Sequence, residues 1–322
     1  MVLDTKTGEV LAMVNEPSFN PNNRGDIRGS RFRNRAVTDV FEPGSTTKPF
    51  TVAMALESGR FGPDTRIDTA PGHLMIGRHR VRDVKDYGLL TVSRVIVKSS
   101  NVGAAKIALE FEPQRLFVAL KVLGFGDATG LGLPGEVAGS LPARRRWRPI
   151  EQATLAFGYG LSATPLQLAR AYAVLANDGI LLPISITPVH GPVVGDRVMR
   201  RTIARQMRHM LEKSVSDHGT GRAARVDRYR VAGKTGTVHK VTESGYAEDR
   251  YMSVFAGMAP VSDPRLVMVV VVNDPQGENY YGGEVAAPVF SKVMAGALRF
   301  LNLPPDHHPE PIHQANASGA GA

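Results

Sequence analysis

The sequence predicts an α+β fold: an antiparallel five-stranded sheet covered by helices, with a mainly helical subdomain. Three observations lead there. Strand-like runs stand at both ends of the 322-residue chain, helical patterns fill the middle, and no internal repeat divides the two. Sheet segments so far apart in sequence imply one folded unit rather than two serial domains. A hydrophobic fraction of 43% against 21% charged residues is enough for a sizeable core and excludes wholesale disorder.

Taken in order, Val2-Leu3-Asp4, a turn at Thr5 to Gly8, and Val10 to Val14 read as an opening hairpin. A Pro-, Asn-, Gly- and Arg-rich loop follows from Asn15 to Asn34. After Pro43-Gly44 a helical pattern runs from about Ser45 to Glu57 and stops at Gly59. The clearest helix is Thr164 to Asn177. Thr164 serves as N-cap, Pro165 takes the first helical position, Gln167 completes a capping box, and Leu168, Ala171, Tyr172 and Leu175 share a face. From Tyr229 the period changes to strands. Val231 to Lys240, Met252 to Ala259 and Leu266 to Asn273 form a predicted antiparallel meander, bringing the strand count to five. A closing helix over Val285 to Leu301 carries Val289, Phe290, Val293, Ala297 and Leu301 at helical spacing. Residues 1–303 therefore make the domain, with the sheet region at about 1–44 and 180–303 and the helical subdomain at about 45–179. Residues 304–322 hold too little to bury and are expected to be a disordered tail.

With no cysteine, a disulfide scaffold, a thiolate zinc site, an iron–sulfur cluster and a cysteine nucleophile are excluded. The histidines show no H-E-x-x-H spacing, so neither a metal nor another cofactor is expected. Lys and Arg total 39 against 30 Asp and Glu, a net charge of +9. The basic runs Arg28 to Arg35 and Arg144 to Arg148 hold few stacking aromatics, so they read as solvated surface rather than a nucleic-acid site. No apolar run is long enough to span a bilayer; the longest, Leu266 to Val272, is strand-sized. Asp4, Lys6 and Glu9 interrupt any signal-peptide core, so this chain is expected to carry neither anchor nor leader. Val2-Leu3-Asp4 reads as strand at once, which suggests a start inside an element.

Chemistry is concentrated in three motifs in fixed order: Ser45-Thr46-Thr47-Lys48, Ser99-Ser100-Asn101 and Lys234-Thr235-Gly236-Thr237. Each alone is weak, and the sequence contains decoys. Lys6-Thr7-Gly8 repeats the third motif inside a predicted turn, and Ser18-Phe19-Asn20 repeats the second in a loop. Order and context favour the others: a helix start, a helical region and a strand. Ser45 and Lys48, three apart at a helix start, share one face. The helix N-terminus directs positive partial charge at an oxyanion on Ser45, and Gly44 is expected to let a ligand approach closely. Lys48 is a base only when neutral, which at pH 7 costs roughly 4.6 kcal/mol from its reference pKa. Burial and a second cation, for which Lys234 is the natural choice, would lower that cost. Asn101 offers donors and an acceptor to a substrate amide, and Ser99 can relay a proton. On a strand, Lys234 and Gly236 point one way and Thr235 and Thr237 the other, with Gly236 leaving room for a peptide along the edge.

The likeness extends past the motifs to Val40-Phe41-Glu42-Pro43-Gly44-Ser45, Phe157-Gly158-Tyr159-Gly160, Thr164 to Ala169, Val231-Ala232-Gly233, and Tyr281-Gly282-Gly283 through Ala286 to Phe290. Over residues 1–303 the chain resembles the transpeptidase domain of class B penicillin-binding proteins, the division-specific type above all. The resemblance implies the transpeptidase-like fold shared with serine β-lactamases. It also implies a peptidoglycan D,D-transpeptidase that cross-links stem peptides in septal wall synthesis. It gives Ser45 the nucleophile's role and Lys48 the base's, with Ser99, Asn101 and Lys234 as a polar relay. The N–H groups of Ser45 and Thr237 become an oxyanion hole, and Thr235 and Thr237 hold the terminal carboxylate beside Gly236. Tyr280 and Tyr281 fall in a loop that can wall the cleft. The implied partners are a stem pentapeptide ending in D-Ala-D-Ala, β-lactams as covalent inhibitors, and division proteins for full-length members. The implied setting is the bacterial inner membrane, with the domain facing the periplasm or cell exterior.

Rival readings on the same fold are a D,D-carboxypeptidase, a serine β-lactamase and a non-catalytic β-lactam sensor. A β-lactamase of the glutamate-dependent kind needs a deacylating Glu in an E-x-x-L-N context. Neither Glu136 nor Glu151 has it. A sensor would need a fused transducer, and none is seen in the sequence.

Overall fold

The computed structural model describes residues 1–20, 22, 30–242 and 245–307. Parts of the predicted Asn15 to Asn34 loop and most of the predicted tail, from residue 308, lie outside the described residues.

The chain opens with β1 (Val2–Asp4) and β2 (Val10–Ala12). The second strand stops two residues short of the predicted Val14, which is solvent-exposed. A 3₁₀ turn over Gly44–Thr47 leads into α1 (Lys48–Glu57), where the sequence predicts continuous helix from Ser45. The difference has a local cause. The Thr46 and Thr47 hydroxyls donate to the carbonyls of Pro43 (2.7 Å) and Gly44 (2.9 Å), which tightens the turn. Two small strand pairs interrupt the helical middle and were not expected: Arg66–Asp68 with Leu89–Thr91, and, between them in sequence, the hairpin of β3 (His73–Ile76) and β4 (His79–Arg82). Then come α2 (Val92–Lys98), α3 (Asn101–Leu109) and, farther on, α4 (Pro165–Ala176) with the predicted Thr164–Gln167 capping box in place.

A further helix, α5 (Arg201–Ser214), was not predicted. The meander follows as β5 (Ala232–Thr242), β6 (Gly245–Ala259) and β7 (Leu266–Asn273), closed by α6 (Gly282–Phe300). The predicted α+β class holds: the five strands form one antiparallel sheet in the order β2-β1-β7-β6-β5. One core, with Phe50, Ile96, Phe125 and Tyr172, packs α1 to α5 together and against one face of the sheet. The other face is covered by α6, whose Phe290 meets Phe255 edge-on at 4.7 Å.

The predicted closing helix is present, and of the residues named for it Phe290 is fully buried. Ala286, Phe290, Met294 and Leu298 face the sheet, while Val289, Val293 and Leu301 are more than 40% exposed. The helix is apolar around a wide arc, so sequence spacing alone offered two neighbouring rows. The sheet took the row holding the bulkiest side chains.

Candidate active site

Ser45 sits in the 3₁₀ turn wedged between β5 and the Phe157–Gly160 segment. Gly44 has φ +54°, and a Cβ on it would lie 2.2 Å from the Val238 side chain. Gly158, at φ +89°, would place a Cβ 2.1 Å from the Gly44 carbonyl oxygen, and its own carbonyl accepts from Gly44 N–H at 3.1 Å. Gly44 therefore serves the packing of the turn on the strand, not the approach of a ligand as the sequence suggests. Gly236 corrects likewise. Its Cβ position is 3.0 Å from Thr46 Cγ2 and 3.1 Å from the Pro43 carbonyl, so it makes room for the serine turn. The free side of β5, an edge strand, still offers main-chain groups to an extended peptide.

Beneath the serine lie two fully buried lysines. Lys48 Nζ donates to Asn101 Oδ1 (2.7 Å), to the Ser99 carbonyl and to Ser99 Oγ (3.2 Å). Lys234 Nζ donates to the same Ser99 Oγ (2.9 Å) and to the Thr235 carbonyl (3.2 Å). One hydroxyl thus stands between two amines. Burial holds Lys48 well below the ordinary lysine range; the charge of Lys234 lowers it further and Asp83 opposes both. Burial alone brings Lys234 down to about 7. Among the described residues no hydrogen bond ties the Ser45 hydroxyl, which is left open to the cleft.

Ser99 reaches the lysines because it caps α2 in the left-handed region, φ 58°, unusual for a residue with a side chain. That kink separates α2 from α3 and turns both the carbonyl and the hydroxyl of Ser99 inward. Asn101 is more committed than the sequence implies. Its Oδ1 holds Lys48 and its Nδ2 donates to the Arg82 carbonyl (2.9 Å), so the carboxamide chiefly positions the lysine.

Asp83, which the sequence did not single out, fixes this corner. Its carboxylate accepts from the Ser100 hydroxyl and from the N–H groups of Asn101 and Val102 (3.0 Å), clamping the start of α3 to the end of β4. The signal was faint: an acid sixteen residues before the second motif, in a stretch not recognised as a hairpin. Glu42 is a second such residue. It accepts from Gly160 N–H (2.8 Å) and from Tyr246 Oη (2.9 Å), tying the β5–β6 hairpin to the turn before Ser45, and burial raises its carboxyl.

The cleft, of about 730 Å³, is lined by Ser45, Tyr87, Asn101, Thr235, Thr237 and Tyr281, among others. Thr235 and Thr237 face it from β5 while Lys234 points into the core, the expected alternation. Thr235 Oγ1 lies 2.8 Å from Thr220 Oγ1, and Thr237 Oγ1 accepts from Gly282 N–H at 2.9 Å. Tyr281 reaches the cleft. Tyr280 stands behind it, stacked between Tyr281 (4.5 Å) and Tyr251 (4.1 Å).

The decoys fall elsewhere. Lys6, in the β1–β2 turn, pairs with Asp263 at 2.6 Å, and Ser18 to Asn20 form exposed loop. Glu136 holds the loop at Thr129 and Gly132, and Glu151 pairs with Arg148, so neither candidate glutamate lines the cleft.

Residues 1–295 match the family described as the penicillin binding protein transpeptidase domain. Among curated relatives, the peptidoglycan D,D-transpeptidase FtsI of Escherichia coli K12 is 47% identical over 306 residues, 95% of this chain and 52% of that protein. The probable peptidoglycan D,D-transpeptidase PenA of Neisseria gonorrhoeae is 43% identical over 305 residues, again 52% of its length. The chain thus spans about half the length of the curated relatives it matches. Among solved structures, the apo transpeptidase domain of Burkholderia pseudomallei penicillin-binding protein 3 superposes with a TM-score of 0.87 at 44% identity, covering 96% of this chain and 89% of that one. With the three motifs gathered in one cleft and a family match across nearly its whole length, the chain belongs to the penicillin-binding protein transpeptidase domain family.

Proposed function

We propose that this chain is the catalytic domain of a peptidoglycan D,D-transpeptidase working through an acyl-serine. Neutral Lys48 takes the Ser45 proton as Oγ attacks the carbonyl of the penultimate D-Ala of a stem pentapeptide. The N–H groups of Ser45 and Thr237 receive the oxyanion, and the Thr235 and Thr237 hydroxyls hold the terminal carboxylate. When the C–N bond breaks, the departing D-Ala amine takes a proton passed through Ser99 Oγ, which lies between Lys48 and Lys234. The amine of a neighbouring stem peptide then attacks the ester, losing a proton to Lys48, which returns it to Ser45 Oγ as the ester C–O bond breaks.

The observation that carries this reading is the pair of buried amines on one hydroxyl. Such an arrangement lowers the proton affinity of both lysines, Lys234 to about 7, and so favours a neutral Lys48 one helical turn from Ser45. A β-lactam, as a mimic of D-Ala-D-Ala, would acylate Ser45 and stay there. The engagement of Glu136 and Glu151 in other contacts favours this over a glutamate-dependent β-lactamase. Residues 1–303 would act as one unit, the cleft lying where the sheet meets the helical subdomain. Among the described residues no helix is long and apolar enough to cross a membrane. A periplasm-facing placement at the inner membrane and contacts with division proteins belong to the proposal, supported by likeness to relatives such as FtsI. The test is labelling with a fluorescent penicillin: the parent should take up one covalent adduct and Ser45→Ala none. Labelling of the variant would overturn the reading, and sustained penicillin turnover by the parent would point to a β-lactamase.

A further inference from the structure

The β3–β4 hairpin is more basic than its fold requires. In its register Leu74 faces Val81, which is buried, so this row seals the domain. The other row faces solvent and places His73 opposite Arg82 and the exposed Met75 opposite Arg80; Arg78 and His79 stand at the tip. No acidic side chain lies across from any of them. Opposite charges in such positions would stabilise the hairpin and like charges weaken it. Among the described residues, Arg78, Arg80 and Arg82 form no ion pair, whereas the exposed Arg201 and Arg205 of α5 both pair with Asp178. The nearby acids are used locally: Asp68 and Asp86 hold turns and Asp83 clamps α3. The strip is also rigidly joined to the cleft, because Arg82 is followed directly by Asp83 and its carbonyl accepts from Asn101. Lys98, on the cleft lining, extends the positive charge.

We propose that the outward face of this hairpin is a docking strip for the carboxylates of a peptidoglycan strand, holding neighbouring stem peptides while one of them enters the cleft. The inference rests on the proposed transpeptidase reading and deepens it. A strand bearing stem peptides presents carboxylates at repeated intervals, which fits a row of unpaired guanidinium groups on an extended surface. A strip a few residues from the Asn101 wall would favour strands over free peptides, since one tethered contact raises the local concentration of the next peptide.

The test compares the parent with Arg78→Gln/Arg80→Gln; Arg82 is spared because its carbonyl holds Asn101. Binding of soluble, labelled glycan strands with stem peptides is followed by fluorescence anisotropy at low and high salt. The double variant should bind roughly three- to tenfold more weakly, the worth of two exposed ion pairs, with a flatter salt dependence. Strands whose stem carboxylates are amidated should bind the parent as weakly as intact strands bind the variant. Equal binding by parent and variant, or undiminished binding of strands stripped of peptides, would overturn the proposal. So would equally tight, equally arginine-dependent binding of vesicles of phosphatidylcholine and phosphatidylglycerol, or of duplex DNA, which would mark a general polyanion surface. Fluorescent-penicillin labelling should be unchanged in the double variant. Loss of labelling in the parent would strike the transpeptidase reading instead.

Discussion

Lys48 and Lys234 are unusual in being lysines that the fold prefers neutral, and the signs of their surroundings can be separated. Lys234 lowers the proton affinity of Lys48 and Asp83 raises it. Lys234→Ala should therefore move the acid limb of the residual acylation rate to higher pH, and Asp83→Asn should move it to lower pH. Rates with a chromogenic β-lactam between pH 5 and 9 would read both; shifts in the same direction would refute the account. Stability follows from the same depression. A lysine neutral in the folded state and charged in the unfolded one makes the unfolded chain bind more protons, so stability rises with pH from about 7 towards the ordinary lysine pKa. Thermal melts of Lys234→Met should be flatter over that window than those of the parent. Ser45, both lysines, Ser99 and Asn101, which the structure brings together, were legible as residue types at fixed spacing. Asp83 was not, because an acid that caps a helix from a neighbouring strand leaves no periodic trace.

Elements place these groups, and glycine does much of the placing. Gly236→Ala should push the serine turn off β5, since the new methyl would meet Thr46 Cγ2 at 3.0 Å and the Pro43 carbonyl at 3.1 Å. Acylation should fall at least tenfold with a smaller loss in melting temperature; an unchanged rate would mean the turn yields freely. The sequence made Gly236 a gap for substrate because a motif shows what a residue lacks but not which neighbour fills the space. The closing helix teaches the same lesson. Its residues were recognisable, but helical spacing left open which of two neighbouring apolar rows is buried. Phe290→Ala should cost about 3–5 kcal/mol and Val293→Ala well under 1 kcal/mol, by chemical denaturation. In α5 the apolar positions Ile203, Ala204, Met207, Met210 and Leu211 are helical in spacing, but the intervening arginines and His209 dilute the pattern.

For the whole molecule, the order of motifs along the chain was the strongest guide, because a cleft between a sheet and a helical subdomain needs one contribution from each. What the order could not convey is the wedge geometry of the serine turn, a product of contacts between segments remote in sequence, or the small basic hairpin, whose two four-residue strands lie outside all three motifs. At this scale Glu42 couples two walls: its bonds to Gly160 and to Tyr246 join the start of the turn to the β5–β6 hairpin. Tyr246→Phe should cost about 1 kcal/mol and increase hydrogen exchange in that hairpin more than in α4.

On the proposed function the last strand of the sheet is the one that meets an extended substrate, and that strand stands unsealed whenever the groove is empty. The β5 border can accept any extended chain, including the same border of another copy, turned end for end. Concentrated protein should thus self-associate through this rim, and a bulky β-lactam esterified to Ser45 should disperse it, a change that light scattering before and after drug addition would register.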